Sequence, residues 1–248
     1  MSAGGLRLAF SWLSVLPLRV RDVDARTCRH AITAAPLVGA LLGAVAAGVL
    51  LALTALGSPA ALAGFLAVAA LALATRGMHV DGLADTVDGL GCYGPPERAL
   101  QVMKDGGAGP FAVAALVVAL GAQAVSLGEL ASRGQWGAIV LACATGRAAF
   151  ALCCRRGQPA AQPEGMGALV AGSQSPWTVG AWWLALAALG GVAVDPWWAG
   201  VLAVALAGLA VLGLGRHVRG RFGGVTGDVL GAASEVATTV VLVVSTFG

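Results

Sequence analysis

The chain has 248 residues, of which 58% are apolar and only 11% charged. Soluble domains carry about 25% charged residues, so a soluble globular class is excluded and the lipid bilayer becomes the expected surrounding. A net charge of +3 gives no reason to expect a nucleic-acid partner.

Residues 6–18 are apolar but short, with no small-residue cleavage site, and read as an interfacial helix or a short re-entrant element. Residues 19–29 are basic, with Asp22 and Asp24 interleaved, the pattern of a surface anchor. Seven apolar stretches follow at 32–56, 59–75, 110–128, 136–154, 176–194, 197–215 and 229–247. Each is near the roughly twenty residues a bilayer requires. The second is the shortest and reaches toward an acidic motif. Pro36, Pro59, Pro110, Pro176 and Pro196 fall at or near the span starts, where a missing N–H costs nothing. The expected fold is all-α, a polytopic transmembrane helix bundle of about seven spans forming a single domain over 1–248. The 37 glycines predict close helix contacts. The five cysteines form no C-x-x-C pair, and Cys153 and Cys154 are adjacent; they read as small apolar fillers rather than a zinc site.

Orientation follows from Arg and Lys. With a cytoplasmic N-terminus, the inner segments hold Arg7, Arg19, Arg21, Arg26, Arg29, Arg76, Arg98, Lys104, Arg155, Arg156, Arg216, Arg219 and Arg221. The outer loops hold Arg133 alone, and Arg147 lies within a span. This is a positive-inside asymmetry, and it places the long connections 76–109, 155–175 and 216–228 on the cytoplasmic side. Trp136, Trp197 and Trp198 at the outer border and Trp177 at the inner one form the expected aromatic belt.

Three clusters on that side can carry chemistry. In the first, Asp81, Asp85 and Asp88 stand at i, i+4 and i+7, which on a helix places them on one face over roughly 10 Å of rise. Like charges that close call for a cation, and Mg²⁺ is commonly held by carboxylates plus a substrate phosphate. Gly82 and Gly89 allow close approach, and His79 could donate to a phosphate or act as general base. The second cluster is Lys104-Asp105-Gly106-Gly107-Ala108-Gly109-Pro110. It is a glycine-rich turn before a helix, with Lys104 as phosphate ligand and Asp105 as metal ligand; no Walker pattern is present. The third holds Arg221, Gly223, Gly224, Thr226 and Asp228 before a span containing Glu235. The glycines, Thr226 and Asp228 fit a phosphate-binding turn, and Asp228 and Glu235 join the metal candidates. Arg216 and Arg219 read equally well as anchors. A carboxylate two turns into a span must face the bundle, so Glu235 is expected inside. Arg147 within its span wants a carboxylate or phosphate partner. Glu164 is a lesser candidate. Together these groups suggest phosphoryl-group transfer at a diphosphate.

At these residues the chain resembles the cobalamin synthase family, the adenosylcobinamide-GDP ribazoletransferases. The resemblance rests on His79-Val80-Asp81-Gly82-Leu83-Ala84-Asp85-Thr86-Val87-Asp88-Gly89 and on Gly223-Gly224-Val225-Thr226-Gly227-Asp228-Val229-Leu230-Gly231-Ala232. Pro36-Leu37-Val38-Gly39, Met103-Lys104-Asp105 and Pro163-Glu164-Gly165-Met166-Gly167 add to it. Many relatives carry Arg and Ser after the Met-(Arg/Lys)-Asp element, where this chain has Gly106-Gly107-Ala108. The resemblance implies a Mg²⁺-dependent enzyme of the bacterial cytoplasmic (inner) membrane, with its active face cytoplasmic. Such an enzyme joins adenosylcobinamide-GDP to α-ribazole or its 5′-phosphate and releases GMP. It implies that Asp81, Asp85 and Asp88 hold the metal while one acid or His79 deprotonates a ribose hydroxyl. Whether the chain works as a homo-oligomer stays open.

Two other readings compete. Asp85-Thr86-Val87-Asp88-Gly89 echoes the D-x-x-D-G of CDP-alcohol phosphotransferases, but Leu90-Gly91-Cys92-Tyr93 follows where that family continues differently. A cation transporter would need acids near the midplane of several spans, and most acids here sit at one border.

Overall fold

The computed structural model describes residues 2–20 and 23–247; Arg21 and Asp22 of the expected anchor lie outside them. Among the described residues the regular elements are helices, accompanied by two isolated β-bridges. In chain order they are α1 (Ala3–Leu13), α2 (Ala25–Ala55), α3 (Ala60–Ala74), α4 (Met78–Gly91), α5 (Pro96–Val102), α6 (Pro110–Ser132), α7 (Trp136–Cys153), α8 (Met166–Val170), α9 (Pro176–Ala193), α10 (Trp197–Phe222) and α11 (Gly227–Val244).

Six of these, α2, α6, α7, α9, α10 and α11, are long and apolar enough to cross a membrane. The seventh expected span is a bent pair. Helix α3 is followed by α4 at 93°. Fifteen residues rise only about 22 Å, and the chain then turns through Arg76, whose φ is 56°, and Gly77, at 68°. The Arg76 side chain reaches back to the carbonyls of Ser11 and Ser14, at 3.1 and 3.2 Å, and straps the end of α1 to this corner. Helix α1 packs on α2 and buries Leu8, Ala9 and Leu13.

Several boundaries differ from the sequence expectation: α1 ends at Leu13 rather than residue 18, and α6 runs on to Ser132 rather than 128. Helix α2 starts seven residues early because Asp24 caps it, its carboxylate accepting from the Thr27 N–H at 2.7 Å. Pro36 therefore sits inside the helix rather than at its start. Helix α10 runs on to Phe222, so Arg216, Arg219 and Arg221 ride on its last turns instead of a loop. Cations there complement the carbonyl end of the helix.

The core is built around α7, which is buried along most of its length between α2, α9, α10 and α11. Its neighbours approach closely because the contact residues are small. A Cβ on Gly43 of α2 would stand 2.7 Å from the Val140 Cα of α7. Gly64 of α3 and Gly128 of α6 likewise face the opposing backbones at Ala124 and Ala60. Such stripes let dispersion and backbone contact replace the hydrophobic drive that lipid removes. Four cysteines are buried fillers and all five are free thiols.

Candidate functional site

A cavity of about 380 Å³ opens where α1, α2, α4, α5, α7 and α11 meet. Its apolar lining includes Trp12, Leu13, Ile32, Leu100 and Phe150, and its polar lining includes His79, Asp81, Lys104, Gln162, Glu164, Thr226 and Asp228.

Close helix contact builds the polar lining. A Cβ on Gly82 of α4 would lie 2.7 Å from the carbonyl oxygen of Asp228 and 3.2 Å from the Cα of Gly231. The α4 and α11 backbones therefore touch, which places Asp81 and Asp228 on one cavity. Asp81, Asp228 and Asp88 all stand near enough to Asp85 to act on its charge. Thr226 caps α11, its hydroxyl accepting from Val229 N–H at 3.2 Å. The capped end, Gly227 and Asp228, borders the cavity, so the positive end of an 18-residue helix faces it. The turn before it is held from outside. Val225 N–H donates to Pro159 O and Ala161 N–H to Val225 O, both at 3.0 Å. Gly224 packs on the same segment, where a Cβ would be 2.6 Å from the Ala160 carbonyl carbon.

The expected residues divide into two groups. His79, Asp81, Lys104, Thr226 and Asp228 line the cavity, and Asp85 stands beside its acids. The others have different partners. Asp88 accepts from Gly109 N–H at 2.5 Å and from Ala112 N–H at 3.0 Å. It thus caps α6 from 21 residues away and takes the glycine-loop amide that a phosphate was expected to find. Arg221 donates to the carbonyls of Gly94 and Cys92, bracing the link between α4 and α5. Glu235 faces the bundle as expected, accepting from Gln123 Nε2 at 2.7 Å. Arg147 stands against His79, its Nη2 3.3 Å from Nδ1, and is not part of the cavity lining. Asp105 is exposed and away from the cavity lining. Gln162 and the apolar lining escaped sequence reasoning, because span residues such as Phe150 and Ile32 give no local signal of what they face.

Among the described residues no three His, Cys, Asp or Glu side chains stand close enough to enclose an ion by themselves. Mg²⁺ does not require that: one or two carboxylates plus substrate phosphates are its usual setting. Crowded acids beside Lys104 and a helix N-terminus fit an ion shared with a phosphorylated ligand.

The role of Asp88 is testable by itself. Asp88→Ala removes both acceptors, and loss of a cap costs about 1 kcal/mol, up to about 2. The expected result is a lower midpoint of thermal unfolding in detergent, with α6 exchanging amide hydrogens faster at Gly109 and Ala112.

A family model described as cobalamin-5-phosphate synthase matches residues 5–246. A relative from Nocardioides sp. (strain ATCC BAA-499 / JS614), named adenosylcobinamide-GDP ribazoletransferase, is 42% identical over 237 residues, covering 95% of each chain. Relatives of the same name come from Corynebacterium efficiens, 36% identical over 96% of this chain and 90% of its own, and Frankia casuarinae, 37% identical over 96% and 92%. No solved structure matches the chain.

Proposed function

The chain belongs to the cobalamin-5-phosphate synthase family, and from that premise we propose that it joins adenosylcobinamide-GDP to α-ribazole or its 5′-phosphate, releasing GMP. One observation carries the reading. A single cavity brings Asp81, Asp228, Lys104 and the α11 N-terminus together with apolar side chains, which suits a charged diphosphate bridge carried by bulky, partly apolar groups. The diphosphate binds against Lys104 and the Gly227–Asp228 end of the helix, where N–H groups and a cation meet its oxygens. One or two of Asp81, Asp85 and Asp228 would hold magnesium, which when bound neutralises charge on the diphosphate.

A ribose hydroxyl attacks the phosphorus nearer cobinamide. Its oxygen forms the new P–O bond, the anhydride P–O bond breaks, and GMP departs with the bridging oxygen. The hydroxyl proton passes to a carboxylate of the polar lining. The apolar side chains keep bulk water from competing as nucleophile. The asymmetry of Arg and Lys supports an inner-membrane orientation with this cavity toward the cytoplasm. There GMP and α-ribazole phosphate are soluble.

Membranes containing the chain, given adenosylcobinamide-GDP, α-ribazole 5′-phosphate and magnesium, are expected to form adenosylcobalamin 5′-phosphate and GMP in equal amounts. Chelating the magnesium should stop both. Membranes that release no GMP above a control lacking the chain would overturn the assignment.

A further inference from the structure

The cavity is small for the reaction proposed. Its volume of about 380 Å³ lies near the lower end of ligand pockets, roughly 300–1,000 Å³. That is room for one nucleoside and a phosphate bridge. A corrin ring with its amide side chains and adenosyl group is several times bulkier, so it stays at the mouth. The lining also divides by element. Helices α1 and α2 pack together and contribute Ala9, Trp12, Leu13, Ala31 and Ile32, all apolar. Asp81, Lys104, Glu164 and Asp228 come from α4, the turn after α5, the segment before α8 and α11.

Ala9, Trp12 and Leu13 stand at i, i+3 and i+4, one face of α1, and Trp12, half-buried, is the ring among them. Its place is fixed from outside the helix. Ser11 and Ser14 flank it, and their carbonyls fall where α1 ends and intrahelical donors run out. Arg76 Nη2 donates to both, at 3.1 and 3.2 Å. Just beyond, Val15 N–H donates to Ala74 O at 2.9 Å. Arg76 and Gly77 then lead into α4, so the corner that clamps Trp12 also starts the helix bearing Asp81.

The reaction as proposed brings in two aromatic bases, guanine and the dimethylbenzimidazole of α-ribazole. Guanine carries donors and acceptors along its edge, which cost free energy when buried without partners. Dimethylbenzimidazole offers one ring nitrogen as acceptor and is otherwise apolar, which suits Ala9, Leu13, Ala31 and Ile32. We propose that Trp12 is a specificity-determining residue that stacks on the dimethylbenzimidazole ring, and that Arg76 is the positioning residue that holds Trp12 in place. The ribose then extends to the polar lining of the same cavity. The identity of the base rests on the transferase reading.

The probes are α-ribazole 5′-phosphate and its imidazole analogue, which lacks the fused dimethylbenzo ring. Each is titrated calorimetrically into the full chain in lipid nanodiscs, with magnesium and without corrinoid. Wild type is expected to bind both and to prefer the two-ring probe. Base–aromatic stacking is worth about tenfold to a hundredfold in affinity. Trp12→Leu, which keeps apolar bulk, should therefore cut that preference at least about fivefold, while KM for adenosylcobinamide-GDP stays within about twofold. Arg76→Met, which loses both donors, should cut the preference in the same direction. A preference unmoved in Trp12→Leu overturns the stacking, whether both probes weaken equally, as a mere membrane anchor would cause, or neither does. A rise in KM for adenosylcobinamide-GDP alone would put guanine or the corrin on Trp12 and overturns it too. A preference unmoved in Arg76→Met overturns the positioning role. Quenching of tryptophan emission by α-ribazole 5′-phosphate reads the same contact in a variant that preserves α1 packing. It is expected in wild type and lost in Trp12→Phe, and quenching retained there overturns the proposal. Wild type that forms no cobalamin product from both substrates sinks the transferase reading. Wild type that forms it while Trp12→Leu keeps the preference sinks this inference alone.

Discussion

Asp228→Asn is expected to lower cobalamin formation at least about a thousandfold, roughly 4 kcal/mol of transition-state stabilisation, while the protein still inserts and unfolds at its usual temperature. Asparagine keeps the shape of the side chain and removes its charge. On the proposed reaction the charge of Asp228 is the part that matters, since the residue lines the cavity with Asp81 at the α11 N-terminus. Asp85→Asn should behave alike, since Asp85 sits within the field of Asp81, Asp88 and Asp228. Asp88→Asn is the contrasting variant. Its oxygens accept from Gly109 and Ala112 N–H groups, and asparagine caps a helix about as well as aspartate. It should keep turnover within about tenfold of wild type, in line with the loss of one of two cap bonds. The measurement is the initial rate of product formation in membranes with matched protein content. Equal inactivation of Asp88→Asn and Asp228→Asn would refute the division between cap and cation ligands.

That division shows where the sequence was readable and where it was not. The spans could be read because hydropathy is a sum over some twenty residues, and a sum survives local exceptions. Six of the seven expected stretches became single continuous helices, and the seventh became the α3–α4 pair. The bend was illegible because it depends on Arg76 and Gly77 adopting positive φ, against α1 carbonyls more than sixty residues earlier. The acidic motif could be read as a helix with three acids on one face, since 3.6-residue periodicity is local. Which acid meets which partner is not local. Asp88 and Asp228 differ only in what stands opposite them, a helix start for the first and an open cavity for the second. The same holds for the buried cations: Arg147 within a span announced that it needed a partner, but not that the partner would be an imidazole edge. Pro36 misled for a related reason. A proline is tolerated at a helix start, yet here the cap at Asp24 fixed the start earlier. The resemblance to a known family carried the activity. The geometry adds which of the shared residues share a cavity.

The pairing of α4 with α11 gives the other large effect. Asp81 and Asp228 come from different helices, so their separation is set by how closely those helices pass. Gly82 and Gly231 allow the contact: Cβ atoms there would stand 3.1 Å from the Asp228 Cα and 3.2 Å from the His79 Cα. Backbone atoms cannot rotate away, so Gly82→Val must push α4 off α11. A displacement of about 1 Å at a reacting centre can cost about a hundredfold in rate, and that loss is expected in kcat even though no charge has changed. His79 sits on the same contact, so its ring should also lose its register with Arg147. Gly48→Ala is the matched control. A Cβ at Gly48 meets nothing within 4 Å, and alanine favours helix over glycine, so activity and stability should hold or improve. If Gly82→Val turned over at the wild-type rate, the acids would not depend on this crossing, and the cavity would have to be assembled from one helix rather than two.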